Sequence, residues 1–140
     1  MSLKYHLVER KDMRKDAASD AKLFYPQIRS GEKISFEKLC EAISGHTTAS
    51  KGDVQIVISG LLYMLRMYLD LGLIVQVGEL GNFRMSAGST GVADKEDFKV
   101  SLFKKAKVVF TAGNLLRDVA DKATFDEIPP VKEPCDRLHV

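Results

Sequence analysis

From Phe98 to Arg117 the chain carries five basic residues, Lys99, Lys104, Lys105, Lys107 and Arg117, and no acid. Cationic side chains gathered without counter-charges bind phosphates by neutralising them and releasing condensed counterions, so a polyanion is the partner this segment fits. Lysines also occur on solvated strand edges, where they discourage aggregation. Composition alone leaves both readings open. From Asp118 to Val140 the balance reverses to six acids and three bases, so that part of the chain should turn away from phosphates. Because the net charge is only +2, any preference for polyanions must come from this uneven distribution.

Other chemistries find little support. Cys40 and Cys135 stand 95 positions apart, without the spacing of a metal knuckle or the density of a disulfide scaffold. Cys40 falls among Phe36, Leu39 and Ile43 and reads as a small buried hydrophobe. His6, His46 and His139 have no acidic or thiol partner at ligand spacing. No nucleophile and base pair and no phosphate loop is visible, and Ser35, Ser50 and Thr111 are explained as helix caps. The expectation is therefore a protein that is not an enzyme, with no catalytic residue, metal, other cofactor or small-molecule substrate.

The elements that must position the basic residues are legible in the middle of the chain. Ser35 is placed to cap a helix carrying Phe36, Leu39, Cys40 and Ile43 on one face, ending near Ser44-Gly45. Ser50-Lys51-Gly52-Asp53 has the hydroxyl and, three residues on, the carboxylate of a capping box. Val54, Val57, Ile58, Leu61, Leu62, Leu65, Tyr68 and Leu69 then recur at helical steps until Gly72. Ile56, Tyr63, Met64 and Met67 widen this apolar face beyond what one small core usually absorbs, which fits either a well-buried central helix or a face covered by a second copy. Leu73–Val77 and Phe83–Ser86 read as strands joined by Gly78-Glu79-Leu80-Gly81-Asn82, a turn whose glycines suit a tight reversal. Ala87–Asp97 reads as a loop or ribbon tip, Lys107–Phe110 as a third strand, and Thr111 as the cap of a helix through Leu115, Leu116, Val119 and Ala120. Earlier, Tyr5–Arg10 suits a strand, Lys11–Lys22 a loop, and Leu23–Ile28 an edge strand because Pro26 lacks a donor.

Length and composition agree with a folded domain. A chain of 140 residues can bury about two-thirds of its unfolded surface, and 45% hydrophobic with 29% charged residues excludes wholesale disorder. No apolar run approaches the ~20 residues of a membrane-spanning helix, and the first residues lack a signal-peptide core. A soluble, cytoplasmic protein without a membrane partner is expected.

The order of these elements, with Ser50-Lys51-Gly52-Asp53-Val54, Val75-Gln76-Val77, Gly81-Asn82-Phe83, Phe110, Ala112-Gly113 and Leu116-Arg117-Asp118, resembles the HU/IHF family of bacterial histone-like DNA-binding proteins. The resemblance covers roughly residues 33 to 123. Lys4-Tyr5, Val8-Glu9-Arg10-Lys11 and the Gly78–Arg84 turn look more like a divergent HU-like branch of Bacteroidetes, with an extra N-terminal strand and a short arm. The resemblance implies an α+β fold: an N-terminal helical hairpin, an antiparallel sheet with a short arm, a C-terminal helix, and an intertwined homodimer. It divides the chain into a strand extension and loop (1–32), an HU-like domain (33–127) and a tail (128–140). It places Arg84, Lys99, Lys104, Lys105, Lys107, Asn114 and Arg117 against double-stranded DNA at the nucleoid. Val57, Leu61, Leu65, Tyr68, Phe83 and Phe110 fall at the dimer interface. The chain departs from the family in having no proline between Pro26 and Pro129, in Asp94, Glu96 and Asp97 within the arm, and in Thr111 and Asn114 where the family has lysines. A proline-free acidic arm implies contact with nearly straight DNA, since kinking needs an apolar wedge. The near-neutral charge also suits an alternative, an HU-like protein-interaction module without DNA binding.

Overall fold

A computed structural model describes residues 1–129. The chain forms two compact units, one built from Met1–Lys33 with the segment from Lys122 onward, the other from Ile34–Asp121. Among the described residues there are three helices and two three-stranded sheets, a mixed α+β architecture.

The first unit holds β1 (Ser2–Lys11), β2 (Lys22–Ile28) and β6 (Thr124–Glu127), in the order β2-β1-β6. β2 pairs antiparallel with β1 from Tyr5↔Ile28 to Lys11↔Lys22, and Pro26 lies on the edge strand that tolerates it. β6 pairs in parallel with the other side of β1, from Ser2↔Thr124 to Tyr5↔Glu127. Asp126 fixes this register by accepting from the Ser2 hydroxyl and from Lys4 Nζ at 3.1 Å, and these donors hold its carboxyl below the usual range. The loop between β1 and β2 is organised by Asp12, which is 6% exposed. Its carboxylate accepts the Arg14 backbone N–H at 3.0 Å and the Arg14 guanidinium at 2.7–3.0 Å. A buried carboxylate needs such donors, and they lower its pKa.

The second unit begins with α1 (Phe36–His46), where the Ser35 hydroxyl accepts from Lys38 N at 3.2 Å as an N-cap. In α2 (Lys51–Asp70) the capping box is complete: Ser50 Oγ accepts from Asp53 N at 3.1 Å and Asp53 accepts from Ser50 N at 3.2 Å. Gly72, at φ +75°, ends it: Gly72 N donates to Leu69 O and Leu73 N to Tyr68 O, both at 3.0 Å. That pair of bonds is a Schellman cap, and it uses Leu73, so the following strand starts later than the apolar run suggests. α1 and α2 are tied by Lys51, whose Nζ lies 2.7 Å from Glu37 and 3.1 Å from Glu41. The Lys51 hydrogen bond depresses the Glu37 pKa, and the two carboxylates raise that of Lys51.

β3 (Val75–Val77), β4 (Gly81–Ser86) and β5 (Lys107–Ala112) form an antiparallel sheet in that order, followed by α3 (Asn114–Asp121). Gly78–Leu80 is a single 3-10 turn between β3 and β4. Gly81 has φ +142°, and a Cβ there would collide with the Thr111 carbonyl. A Cβ on Gly113 would collide with the Glu79 carbonyl, and Gly113 N donates to Leu80 O at 3.0 Å. The two glycines thus let the β3–β4 turn and the entry to α3 pack backbone on backbone. Thr111 does not cap α3: it lies in β5 opposite Asn82, and Arg117 N bonds to the Gly113 carbonyl instead. β6 is the strand the sequence reading lacks. Of the tail expected at 128–140, residues beyond 129 lie outside the described residues.

Candidate nucleic-acid interface

Register gives the β3–β4–β5 sheet two unlike faces. Val75, Phe83 and Phe110 align across one face, beside Met85 opposite Val108. Phe83 and Phe110 stack with ring centroids 5.0 Å apart, a contact worth about 0.5–1.5 kcal/mol beyond area burial. The opposite face carries Gln76, Asn82, Arg84, Lys107 and Thr111, with Ser86 and Val109, and has no carboxylate. Arg84 pairs with Val109, so Lys107 is its diagonal neighbour. Two cations at that spacing repel until an anion lies between them.

Between β4 and β5 the chain makes a closed excursion in place of a long ribbon. Lys104 N donates to Gly88 O at 2.8 Å, Thr90 N to Leu102 O at 3.2 Å, and Ser89 bridges Phe103. Phe98 packs edge-on against Phe103 at 5.5 Å. Asp94, Glu96 and Asp97 fall in or beside the 3-10 turn Lys95–Asp97, and Lys99 precedes a second one at Val100–Leu102. Lys99, Lys104 and Lys105 are exposed, and none forms an ion pair among the described residues. The same holds for Arg84 and Lys107, whereas Lys4, Arg14, Lys22 and Lys51 are each matched to a carboxylate.

Lys104, Lys105 and Lys107 stand at one end of β5, and Asn114 and Arg117 follow its other end. At about 3.3 Å per residue the strand holds these groups roughly 20 Å apart, a strip rather than a single cluster. Arg117 is oriented by a 3.0 Å bond from its Nε to the Ala112 carbonyl. Gln76, Asn82 and Thr111 share the Arg84 face and add neutral donors of the kind that position a phosphate backbone. The sequence reading missed them, although the two-residue alternation of β4 and β5 carries the signal.

α2 divides its apolar residues between two sides. Val54 is buried and Ile58, Leu61, Leu65 and Leu69 are half-buried within the chain, at three- and four-residue steps. Val57 is 70% exposed, Tyr63 66%, and Tyr68 and Met67 are also exposed. Of the other expected interface residues, Phe83 is half-buried and Phe110 exposed. A groove of about 990 Å³ runs beside the second half of α2, lined by Leu62, Leu65, Met67, Phe83, Met85 and Val108.

Residues 1–127 match the model of a family described as an HU domain fused to a wHTH, Ig or glycine-rich motif. The chain belongs to this HU family. Its fold is also similar to the crystal structure of a candidate bacterial DNA-binding protein from Bacteroides vulgatus, with a TM-score of 0.60 and 21% identity. That likeness covers 94% of this chain and 51% of the other, so this HU chain spans about half the length of its structural relative. The sequence matches no curated protein. Among the described residues no helix is long and apolar enough to cross a membrane, and no cluster of three or more His, Cys, Asp or Glu is arranged to hold a metal.

Proposed function

We propose that this HU chain acts as a homodimer that binds double-stranded DNA with little sequence preference, as an architectural protein of the nucleoid related to the HU-like branch of Bacteroidetes. The observation that carries the reading is the carboxylate-free face of β3–β4–β5, continued by the exposed Lys99, Lys104 and Lys105, which form no ion pair among the described residues. Phosphates neutralise Arg84, Lys107 and these lysines, Asn82, Thr111 and Asn114 donate hydrogen bonds, and Arg117 extends the contact past the end of β5. None of these groups needs a base edge, so the contacts set affinity and position but do not read sequence.

The dimer rests on the exposed apolar side of α2 and the groove beside it. Among the described residues only Cys40 and Val54 are buried hydrophobic residues, while Ile56, Val57, Leu62 and Tyr63 are each at least 60% exposed. Exposed apolar area of this kind marks an interface, and a second α2 is its natural cover.

Fluorescence-anisotropy competition with unrelated duplexes of equal length tests the lack of sequence preference. All competitors are expected to displace a labelled random duplex within about threefold of one another, far short of the ~10³-fold or greater preference of a specific binder. One duplex winning by a hundredfold would replace this reading with base-edge recognition.

A further inference from the structure

The excursion between β4 and β5 carries two exposed phenylalanines that the duplex reading leaves unused. Phe98 is 41% and Phe103 51% exposed, and the chain brings them together around the 3-10 turn Val100–Leu102. That turn is closed by Leu102 N donating to Lys99 O at 2.9 Å and Phe103 N to Val100 O at 3.1 Å. The rings then meet edge to face. The bonds from Thr90 N to Leu102 O and from Lys104 N to Gly88 O anchor the residues on either side of Phe103. An edge-to-face pair leaves ring faces open, and a ring already held by its backbone loses little freedom when something stacks on it.

Charge decides what those open faces suit. The segment Phe98-Lys99-Val100-Ser101-Leu102-Phe103-Lys104-Lys105-Ala106-Lys107 interleaves the two rings with four lysines and no acid. Aromatic rings set among lysines are the combination that holds a nucleic-acid strand, with bases on the rings and phosphates on the cations. Val100, 79% exposed, adds an apolar border. Asp94, Glu96 and Asp97 fall in or beside the preceding turn Lys95–Asp97, so a phosphate chain is repelled there and follows Phe103 towards Lys107. An apolar protein partner would leave the lysines without counter-charges, and a purely electrostatic contact would leave the rings in water.

The bases concerned are ones already out of a duplex. A wedge driven into a duplex has to offset the cost of unstacking it. These rings engage each other on an excursion folded back on itself, so neither projects as a wedge. A base in a single strand carries the least unstacking cost.

We propose that Phe98 and Phe103 form a stacking site for unpaired bases, which gives the chain an affinity for single-stranded DNA beside its affinity for duplex. The proposal rests on the phosphate contacts of Lys99, Lys104 and Lys105 in the duplex reading, and it adds the rings as the groups that tell an unpaired strand from a paired one. Every base has a face to stack, so the site selects strandedness and not sequence.

Fluorescence anisotropy on the full chain tests this with two labelled probes, an oligothymidylate of about 20 nucleotides and a blunt duplex of equal length. Phe98→Ala and Phe103→Ala are each expected to weaken oligothymidylate binding about tenfold, the loss of one base stack, and to leave duplex affinity within about twofold of wild type. Phe103→Tyr keeps the ring and should retain wild-type affinity for both probes. Oligothymidylate binding that the alanine variants leave unchanged overturns the stacking site and keeps the duplex reading, and so does a wild type that holds duplex but no oligothymidylate. Ring-dependent oligothymidylate binding without duplex binding upholds the site and removes the duplex reading. Binding of neither probe overturns both. An equal loss on both probes, or a loss with Phe103→Tyr as large as with Phe103→Ala, would give the rings a role in holding the excursion together and would also overturn the proposal.

Discussion

Leu65→Asp is expected to abolish folding and self-association together, and Leu61→Asp to do the same. Both leucines belong to the half-buried stripe of α2 that runs down from buried Val54, and Leu65 also lines the groove with Phe83 and Met85. An aspartate at either position places a carboxylate among aliphatic and aromatic groups. The penalty is several kcal/mol, on the order of 3–5, against a total stability of about 5–15 kcal/mol for a domain of this size. Circular dichroism is expected to lose its cooperative thermal transition, and light scattering to report no folded dimer. A variant that kept the wild-type helical signal but ran as a monomer would show that the stripe serves only the interface.

The second large effect is on DNA binding. Lys104→Glu with Lys105→Glu removes two phosphate contacts per copy and sets two carboxylates beside Lys107, at the start of β5. In a homodimer four contacts are lost, so affinity for random duplex should fall on the order of 100-fold near 100 mM salt. The loss should be the same for every sequence, because phosphate contacts carry no base information. Among the described residues both side chains are exposed and neither takes part in an ion pair, so stability should be unchanged. An unchanged affinity in the double variant would move the DNA face elsewhere on the molecule.

Local chemistry was easiest to read in advance. The Ser35 cap, the Ser50–Asp53 capping box and the Gly72 stop are short-range devices whose partners lie within five residues, and the structure shows each of them. Pro26 marked an edge strand because a missing N–H is incompatible with a central one. Thr111 misled because a hydroxyl before a helical run looks like a cap, while the pairing of β5 with β4 keeps it in the strand. β6 was invisible for the same reason carried further. Thr124-Phe125-Asp126-Glu127 has no alternating pattern, and it is extended only because β1, more than a hundred residues earlier, offers it a free edge. The basic run was legible as composition. Its division into a sheet face, a folded excursion and the start of α3 needed the register and the backbone bonds that close Ala87–Ala106.

The central claim is that duplex DNA is held by phosphate neutralisation on a dimeric basic face, and its most direct test is the salt dependence of wild-type affinity for a random duplex. Each neutralised phosphate contributes about 0.9 to the slope of log affinity against log salt. With roughly half of the six basic groups of each copy engaged, the slope should lie near −5, so raising salt from 50 to 200 mM weakens binding about a thousandfold. A slope near zero, or no binding at 50 mM, would contradict the account and leave the basic strip as a solvated surface.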